Sequence, residues 1–436
     1  MKNSGVEWIG EIPENWEVKR GKELFFEIND RCKNPENYPL LSVSEYYGVA
    51  PKSEKIDEGD FITHAETLDG YKICQEGDIV QNIMLAWKRA TGMSNYEGLI
   101  SPAYCIYRPF KGVDSKYYHY LFRTDVYADL FKQFSTGIID SRLRLYPAKF
   151  LSLKYAYPPK STQQRIASYL DKKCSKIEET IQNQQQVIEK LKAYKQSLIT
   201  EAVTGKIKIQ NGKVCGKYES YKDSGVEYLG KIPSNWNIKR LRYIGKCQNG
   251  ISKGGEFFGS GYPFVSYGDV YNNLTLPETV SGLIESTPEE QENYSVMAGD
   301  IFFTRTSETI EEVGFTSVCL KTIEKATFAG FVIRVRPFTE ELVPDYSKYY
   351  FSSDAHRRFF VKEMNLVTRA SLSQDLLKRL PILIPSKDEQ KEIADYLDKK
   401  CTSIDAAIEQ KQKLIEKLTE YKKSLIYECV TGKKEI

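Results

Sequence analysis

The sequence is poor in the residues that most metal and catalytic sites require. Its 436 residues include only three histidines, His64, His119 and His356, and its nine cysteines contain no CxxC pair. Zinc sites need closely spaced thiolates or imidazoles, so we expect no bound metal. No apolar run approaches the roughly 18 residues that cross a bilayer, and the N-terminus lacks the apolar stretch of a signal peptide. These absences indicate a cytoplasmic protein with reduced cysteines.

Motifs of common enzyme classes are also missing. VTGK occurs at Val203 and again at Val430, but it lacks the earlier glycine and the following Ser or Thr of a phosphate-binding loop. We interpret its glycines, Gly205 and Gly432, as helix stops. Neither a GxGxxG fingerprint nor an HExxH motif is present. With a net charge of only +3, this favours a non-catalytic protein whose positive charge is local or is shared with other subunits.

Most of the chain is written twice. The stretch SGVEWIGEIPENW at Ser4 returns as SGVEYLGKIPSNW at Ser224. The segments of about 44 residues that begin at Gln163 and Gln390 align without a gap and are identical at about 26 positions, far above chance. Between these segments, QEGDIVQN corresponds to MAGDIFFT, and YCIYRP corresponds to VIRVRP. This order predicts two copies of one unit of roughly 220 residues.

Each copy ends in a predicted helix of about 40 residues, or roughly 60 Å. Apolar positions recur at alternating spacings of four and three, which is a heptad seam for packing against a partner helix. The central polar position of each seam, Gln184 or Lys411, costs stability but fixes register. The other copy is the obvious partner. The seam positions are Leu170, Cys174, Ile177, Ile181, Gln184, Ile188, Leu191, Lys195, Leu198 and Ala202, and then Leu397, Cys401, Ile404, Ile408, Lys411, Ile415, Leu418, Lys422, Leu425 and Cys429.

The blocks between each opening phrase and its helix have a different character. They lie at about 20–157 and 240–384, and they hold short β-type runs separated by Gly, Asn, Asp and Pro. At roughly 140 residues, each block is long enough for its own core. We therefore predict two globular α+β domains.

Both opening phrases and both helical segments, QQRIASYLDKKCSKIEE and QKEIADYLDKKCTSIDA, resemble the specificity (S) subunit of type I restriction–modification systems, the HsdS family. The resemblance covers essentially the whole chain, in the family's order. It implies two target recognition domains, each of which reads one half of a split sequence in double-stranded DNA. It also implies that the two helices pack as an antiparallel coiled coil, in a nearly circular arrangement about a pseudo-two-fold axis.

The resemblance also implies partners. The family's S subunit binds two modification (M) subunits, which carry S-adenosylmethionine and methylate adenine at N6. Restriction (R) subunits complete an endonuclease that requires ATP and Mg. This chain is expected to be non-catalytic and to bind no cofactor and no membrane.

The predicted domains follow the repeat. They are recognition domain 1 at 1–158 with a leading segment at 4–20, a central conserved region at 159–222 with its helix at about 162–204, recognition domain 2 at 223–385 with a leading segment at 224–240, and a distal conserved region at 386–436 with its helix at about 387–431.

Residues that contact DNA are predicted from local chemistry, because the family motifs lie mainly in the scaffold. An aromatic beside two cations can stack and read guanine, and Arg142 and Arg369 occupy corresponding positions in the two copies. Three alternatives stay open: Trp87 packs in the core, the shared arginine forms a buried ion pair, and Lys253 lies on a flexible hairpin tip. The candidates are Trp87, Lys88, Arg89, Arg142 and Arg144 in the first block, and Lys253, Arg305, Ser307 and Arg369 in the second.

The YLDKK motif recurs outside the seam in both helices. We predict that it contacts the M subunits; the alternative is packing of the helix end against a recognition domain. The motif residues are Tyr169, Asp171, Lys172, Tyr396, Asp398 and Lys399.

Two other functions of the chain stay open. One is a methyltransferase component that fuses recognition with catalysis, and the other is a coiled-coil scaffold without a role on DNA.

Overall fold

A computed structural model describes residues 1–32, 35–54, 68, 70–307, 313–363 and 370–436. The described residues form two units, one made of Met1–Gln184 with Gln412–Ile436 and the other of Gln185–Lys411. Two helices of 44 residues each contribute to both units. Within the described ranges, no helix is both long enough and apolar enough to cross a bilayer.

The first unit combines short strands with short helices. Its strands are β1 (Lys2–Asn3), β2 (Glu11–Ile12), β3 (Glu17–Arg20), β4 (Phe25–Ile28), β5 (Leu41–Ser44), β6 (Gly48–Pro51), β7 (Lys72–Cys74), β8 (Ile79–Asn82), β9 (Thr91–Met93), β10 (Gly98–Ile100), β11 (Tyr104–Pro109) and β12 (Lys154–Tyr157). Its helices are α1 (Gly21–Leu24), α2 (Ser115–Phe122), α3 (Asp125–Gln133), α4 (Pro147–Ser152) and the start of α5 (Lys160–Val203), with 3₁₀ turns at Pro35–Asn37, Lys52–Glu54, Ala86–Lys88 and Asp140–Arg142.

The second unit has a similar inventory. Its strands are β13 (Lys208–Gln210), β14 (Lys213–Gly216), β15 (Tyr221–Asp223), β16 (Lys231–Pro233), β17 (Asn237–Arg240), β18 (Gly245–Asn249), β19 (Phe258–Val265), β20 (Leu283–Ile284), β21 (Ile301–Thr304), β22 (Thr306–Ser307), β23 (Thr316–Val318), β24 (Thr327–Phe328), β25 (Val332–Pro337), β26 (Ala370–Ser371) and β27 (Pro381–Ile384). Its helices are α6 (Tyr267–Asn272), α7 (Pro288–Asn293), α8 (Pro344–Ser352), α9 (Asp354–Glu363), α10 (Gln374–Lys378) and the start of α11 (Lys387–Val430), with 3₁₀ turns at Leu241–Tyr243 and Gly255–Phe257.

Each unit is built on a four-stranded antiparallel sheet with the same order of strands. The neighbours are β4, β11, β8 and β9 in the first unit, and β18, β25, β21 and β23 in the second. The central strands β11 and β25 are the predicted runs YCIYRP and VIRVRP, and helices α2 and α8 pack buried tyrosines into the two cores. The predicted α+β class is confirmed.

A buried ion pair repeats in the two sheets. Arg108 Nε donates to Asp78 at 2.9 Å in the first unit, and Arg336 Nε donates to Asp300 at 2.7 Å in the second. Both carboxylates are buried, and each also accepts a backbone N–H from the turn that precedes its strand. The GD turn of one strand is thus fastened to the RP end of its neighbour. Both short motifs therefore make the same contact in the two copies.

Parts of the two long helices pack antiparallel within each unit. The start of α5 lies against the end of α11 in the first unit, and the end of α5 lies against the start of α11 in the second. Corresponding cross-helix ion pairs accompany this packing. Lys422 pairs with Glu178 in the first unit, and Lys195 pairs with Asp405 at 2.6 Å in the second. The predicted antiparallel helix pair is confirmed.

The opening phrases occupy equivalent places in the two units. Gly432 has φ +73° and lies close to Pro13, so that a Cβ added to the glycine would stand 2.5 Å from Cδ of Pro13. The same Cβ would stand 3.1 Å from the Trp16 ring. Gly205 has φ +69° and lies against Pro233 and Trp236 in the same way, at 2.4 Å. In each unit the end of one long helix therefore packs against an opening phrase, and both glycines end helices as expected.

Buried histidine predicts a pH dependence of stability in the second unit. Burial, followed by the neighbouring Arg357 cation, lowers the pKa of His356 to about 3. In the unfolded chain the pKa of this histidine is about 6.5. Below that pH the unfolded chain binds a proton at His356, whereas the folded chain keeps the imidazole neutral. This contribution to stability is complete above about pH 6.5, and it is lost as the pH falls toward about 3.

We expect the free energy of unfolding to fall by about 1 kcal/mol from this histidine between pH 6.5 and 5.5, because the unfolded histidine is already half protonated at pH 6.5. The measurement is chemical denaturation of the chain at both pH values. His356→Phe should reduce the fall, because the ring packs among Phe351 and Phe360 without needing a charge. An identical pH dependence in the wild type and in this variant would contradict the assignment.

Candidate nucleic-acid interface

Two loops of the first unit lie side by side although they are far apart in the sequence. One is the turn at 83–90 between β8 and β9, and the other is the loop at 136–146 before α4. The Leu145 N–H donates to the Ile83 carbonyl at 2.9 Å and joins them. We call these two loops the first loop edge. It brings together the five predicted DNA contacts of the first block, which are Trp87, Lys88, Arg89, Arg142 and Arg144.

Trp87 and Arg89 are only partly exposed to solvent, and both are held by contacts within the protein. The Trp87 indole N–H donates to the Met84 carbonyl at 3.0 Å, and its half-buried ring packs on the core. Arg89 adopts a left-handed φ of +69° and pairs with Asp125. The core-packing alternative therefore fits Trp87 better than base stacking does. Lys88 is exposed beside the indole ring.

Arg123 also organises the first loop edge, and sequence reasoning missed it. Its guanidinium donates to the carbonyls of Arg89 at 2.7 Å, Tyr46 at 2.9 Å and Glu45 at 3.0 Å. Burial lowers the pKa of Arg123 to about 10, but the side chain stays charged at neutral pH. A single arginine after α2 gives no local signal of a role that depends on carbonyls from distant loops.

Arg142 and Arg144 project from the first loop edge. Thr136 and Arg144 exchange two backbone hydrogen bonds of 2.9 and 3.0 Å, which makes this part of the loop strand-like. Leu143 and Leu145 alternate with the arginines and are buried, whereas both arginines are exposed. Within the part of the chain that the structure describes, neither guanidinium has an ion-pair partner. The alternative of a buried ion pair is therefore wrong for Arg142.

The second unit repeats the joining of two loops. The Leu372 N–H donates to the Arg305 carbonyl at 2.7 Å, and β22 pairs with β26 through Thr306 opposite Ser371. Arg305 is half-buried, and Ser307 lies on β22 at this second loop edge. Arg369 lies outside the described residues, immediately before β26. The structure thus places Arg305 and Ser307 beside β26, and the predicted contact of Arg369 stays a prediction.

Lys253 does not join this edge, and its predicted role as a DNA contact is not supported. Its ammonium donates to the Glu290 carboxylate at 2.7 Å and to the Glu285 carbonyl at 2.8 Å, and its side chain is only 15% exposed. The hydrogen bond from Lys253 is the main cause that lowers the pKa of Glu290.

The stretch Gly250–Gly254 matches the GxSxG pattern of hydrolase nucleophiles. A 3₁₀ turn and a strand follow it, so it does not form the strand–turn–helix of a nucleophile elbow.

The YLDKK carboxylates pack the helices against the recognition domains. The Tyr120 hydroxyl donates to Asp171 at 2.7 Å, and the Tyr349 hydroxyl donates to Asp398 at 2.7 Å. Burial and this hydrogen bond raise the pKa of Tyr349. Lysines complete each site, with Lys116 at 2.5 Å from Asp171 and Lys348 at 2.8 Å from Asp398.

This geometry corrects part of the predicted M-subunit contact. Tyr396 is buried and Tyr169 is half-buried, so the aromatic and acidic members of the motif serve helix-end packing, which was the alternative. Lys172 and Lys399 are exposed. Their contact with M subunits stays a prediction.

The heptad seam is divided between the two units. Its most enclosed positions lie toward the helix ends that pack on the domain cores, whereas the middle of each helix is more open. The buried members are Leu170, Cys174, Ile177, Ile188, Leu198, Ala202, Leu397, Cys401, Ile404, Leu425 and Cys429, and the half-buried members are Ile181, Gln184, Leu191, Lys195, Ile408, Lys411, Ile415, Leu418 and Lys422.

Comparisons with known proteins agree with this architecture. The family described as "Type I restriction modification DNA specificity domain" matches residues 233–420. The chain is 23% identical to the type I restriction enzyme EcoKI specificity subunit of Escherichia coli K12, over 97% of this chain and 90% of that protein.

Two solved structures share the fold. A chain from work on complex assembly and conformational transition of the type I R-M system matches with a TM-score of 0.72 and 13% identity, over 97% of this chain and 100% of that one. The HsdS subunit from Thermoanaerobacter tengcongensis matches with a TM-score of 0.55 and 14% identity, over 97% and 98% of the two chains.

Proposed function

We propose that this chain is a type I restriction–modification specificity subunit, and that its two units read the two halves of one split DNA target; its similarity to that family supports the proposal. The observation that carries the proposal is the pair of loop edges. Both units join the same two loops by the same backbone hydrogen bond, but the side chains on the loops differ: Ile83 in one corresponds to Arg305 in the other. The same backbone arrangement with different side chains in the two units suits a bipartite DNA target whose two halves differ in sequence.

The first loop edge offers suitable chemistry for DNA. Arg142 and Arg144 stand two positions apart on the exposed face of a strand-like segment. Guanidinium groups bind phosphate oxygens, and they read guanine through its O6 and N7 atoms in the major groove. The low net charge of the chain fits a complex in which partner subunits supply further phosphate contacts.

The outer faces of the helices fit a partner that binds twice. Tyr194 and Tyr421 occupy corresponding positions and are 55% and 52% exposed. Lys190 and Lys417 also correspond and are exposed. A surface that is repeated almost unchanged suits two copies of one partner, whereas the differing loop edges suit two different DNA sequences. We therefore propose that two M subunits dock on the helices, and that R subunits join through them.

In this proposal the chain supplies positioning alone. Methyl transfer to adenine N6 needs S-adenosylmethionine, and DNA cleavage needs ATP and Mg; both chemistries belong to the partner subunits. The helices set the distance between half-sites. A helix of this length measures roughly 66 Å, whereas half-sites one duplex turn apart are separated by roughly 34–36 Å. The helices are therefore long enough to reach two such half-sites.

Reconstitution with the M subunit tests the proposal. The chain alone should bind DNA weakly, and the complex with M should methylate one bipartite sequence. Methylation without sequence preference by that complex would refute the role in specificity and would support a scaffold. Methyl transfer by the isolated chain would instead support the fused-enzyme alternative.

Removing the two exposed arginines of the first loop edge should weaken DNA binding. For Arg142→Ala with Arg144→Ala in the M complex, we expect a loss of at least about tenfold in affinity, and a slope of log K against log salt that is smaller by about one for each lost phosphate contact. Binding titrations at several salt concentrations measure both quantities.

The matched control is Lys154→Ala with Lys160→Ala, which removes two exposed cations of the same unit outside the loop edge. An equal loss in the control would mean that general charge is responsible, and would remove these arginines from the interface.

A further inference from the structure

The tip of the loop at 136–146 carries an unusual pair of apolar side chains. Ile138 is 100% exposed and Ile139 is 53% exposed. No other large apolar residue in the described ranges is as exposed as Ile138. Adjacent exposed isoleucines gain nothing from the fold, and burying them against a partner would be favourable.

The loop is built to hold this tip away from the core. Thr136 and Arg144 exchange two backbone hydrogen bonds below the tip. Gly137 packs so closely on the Arg142 carbonyl that an added Cβ would stand 2.6 Å from its oxygen. Lys132 pairs with Asp140 at 2.8 Å on the other side. With Leu143 and Leu145 buried beneath, the two isoleucines form a braced projection.

The surroundings of the tip favour DNA as the partner. The braced loop carries exposed Arg142 and Arg144, which suit a polyanion better than an apolar protein surface. Two backbone segments side by side have the width of a β-ribbon, which fits the major groove of about 12 Å more readily than the minor groove of about 6 Å. The C5-methyl group of thymine is the apolar feature of the major groove.

We propose that Ile138 and Ile139 form an apolar reader that contacts a thymine C5-methyl group in the half-site of the first unit, while Arg142 and Arg144 hold the flanking backbone or a guanine. This inference rests on the proposed function and deepens it, because it names the feature of the base pair that is read. The discrimination comes from burial of the methyl group against isoleucine, which a cytosine or uracil at the same position does not offer.

Deoxyuridine substitution tests the contact, because it removes only the methyl group. The M complex is assembled with the wild-type chain or with Ile138→Ala and Ile139→Ala together, and its binding is measured on the mapped target with each thymine of both strands replaced in turn. At one or two positions, deoxyuridine should weaken wild-type binding about threefold to fivefold. The variant should bind the thymine and deoxyuridine duplexes equally well at those positions.

The controls separate this inference from the function beneath it. Val214→Ala changes another exposed β-branched residue, 45% exposed on a hairpin of the second unit, and should keep the wild-type sensitivity to every methyl group. If no position shows coupling between the methyl group and the isoleucines, or if the variant loses only its binding to M, the apolar reader is refuted while sequence-specific methylation stands. A wild-type complex without sequence preference would refute the proposed function itself.

Discussion

Exchanging residues 20–157 for the corresponding block of another specificity subunit should change one half of the methylated sequence and leave the other half as it was. The physical reason is the separation of the two cores. The first block packs on its own sheet, on the start of α5 and on the end of α11, whereas the second block packs on the remaining parts of those helices. Methylation mapping of the chimaera with its M partner measures the result.

The reciprocal exchange provides the control. Replacing 240–384 should change the opposite half of the target, with the spacing between halves unchanged in both chimaeras. If either exchange alters both halves together, the two units are not independent readers, and the division of labour between the loop edges is wrong.

Loss of the Trp236 side chain should produce a large loss of stability in the second unit. Trp236 is fully buried, packs on Gly205 and on Tyr218, and its indole N–H donates to Glu389 at 3.3 Å. It therefore ties the end of α5 and the start of α11 to the second domain. We expect Trp236→Ala to lower the free energy of unfolding of the second unit by about 3–5 kcal/mol.

Hydrogen exchange resolved along the chain measures this loss. Protection should fall in 185–411 and persist in 1–184 with 412–436, and Trp16→Ala should give the reverse pattern because Trp16 holds the same place against Gly432. Trp236→Phe retains much of the apolar packing and should cost less than the alanine variant. Uniform loss of protection across both units after either substitution would contradict the equivalent roles of the two tryptophans.

The long helices could be predicted from the sequence because their signal is local and repeated. Heptad spacing marked the helices, and the observed bounds, Lys160–Val203 and Lys387–Val430, lie within two residues of the expected ones. The glycines that end both helices were readable because their φ values near +70° suit glycine.

Contacts between distant segments could not be predicted in the same way. Nothing local to Leu145 indicates that its N–H meets the Ile83 carbonyl, and nothing local to Lys253 indicates Glu290 as its partner. A motif repeated on a helix surface suits either a partner or a domain, so the sequence alone does not decide what the YLDKK carboxylates contact. The hydrogen bonds from the tyrosines of α2 and α8 show that these carboxylates face the recognition domains. One such contact did leave a trace, since GD and RP persist in both copies and form the Asp78–Arg108 and Asp300–Arg336 pairs.

Long-read sequencing of DNA from cells that carry this chain with its M partner tests the central claim most directly. The account predicts N6-methyladenine within a single bipartite, asymmetric sequence, with one adenine in each half and a fixed gap between the halves. Methylated adenines scattered without a shared sequence, or confined to one continuous symmetric site, would contradict it.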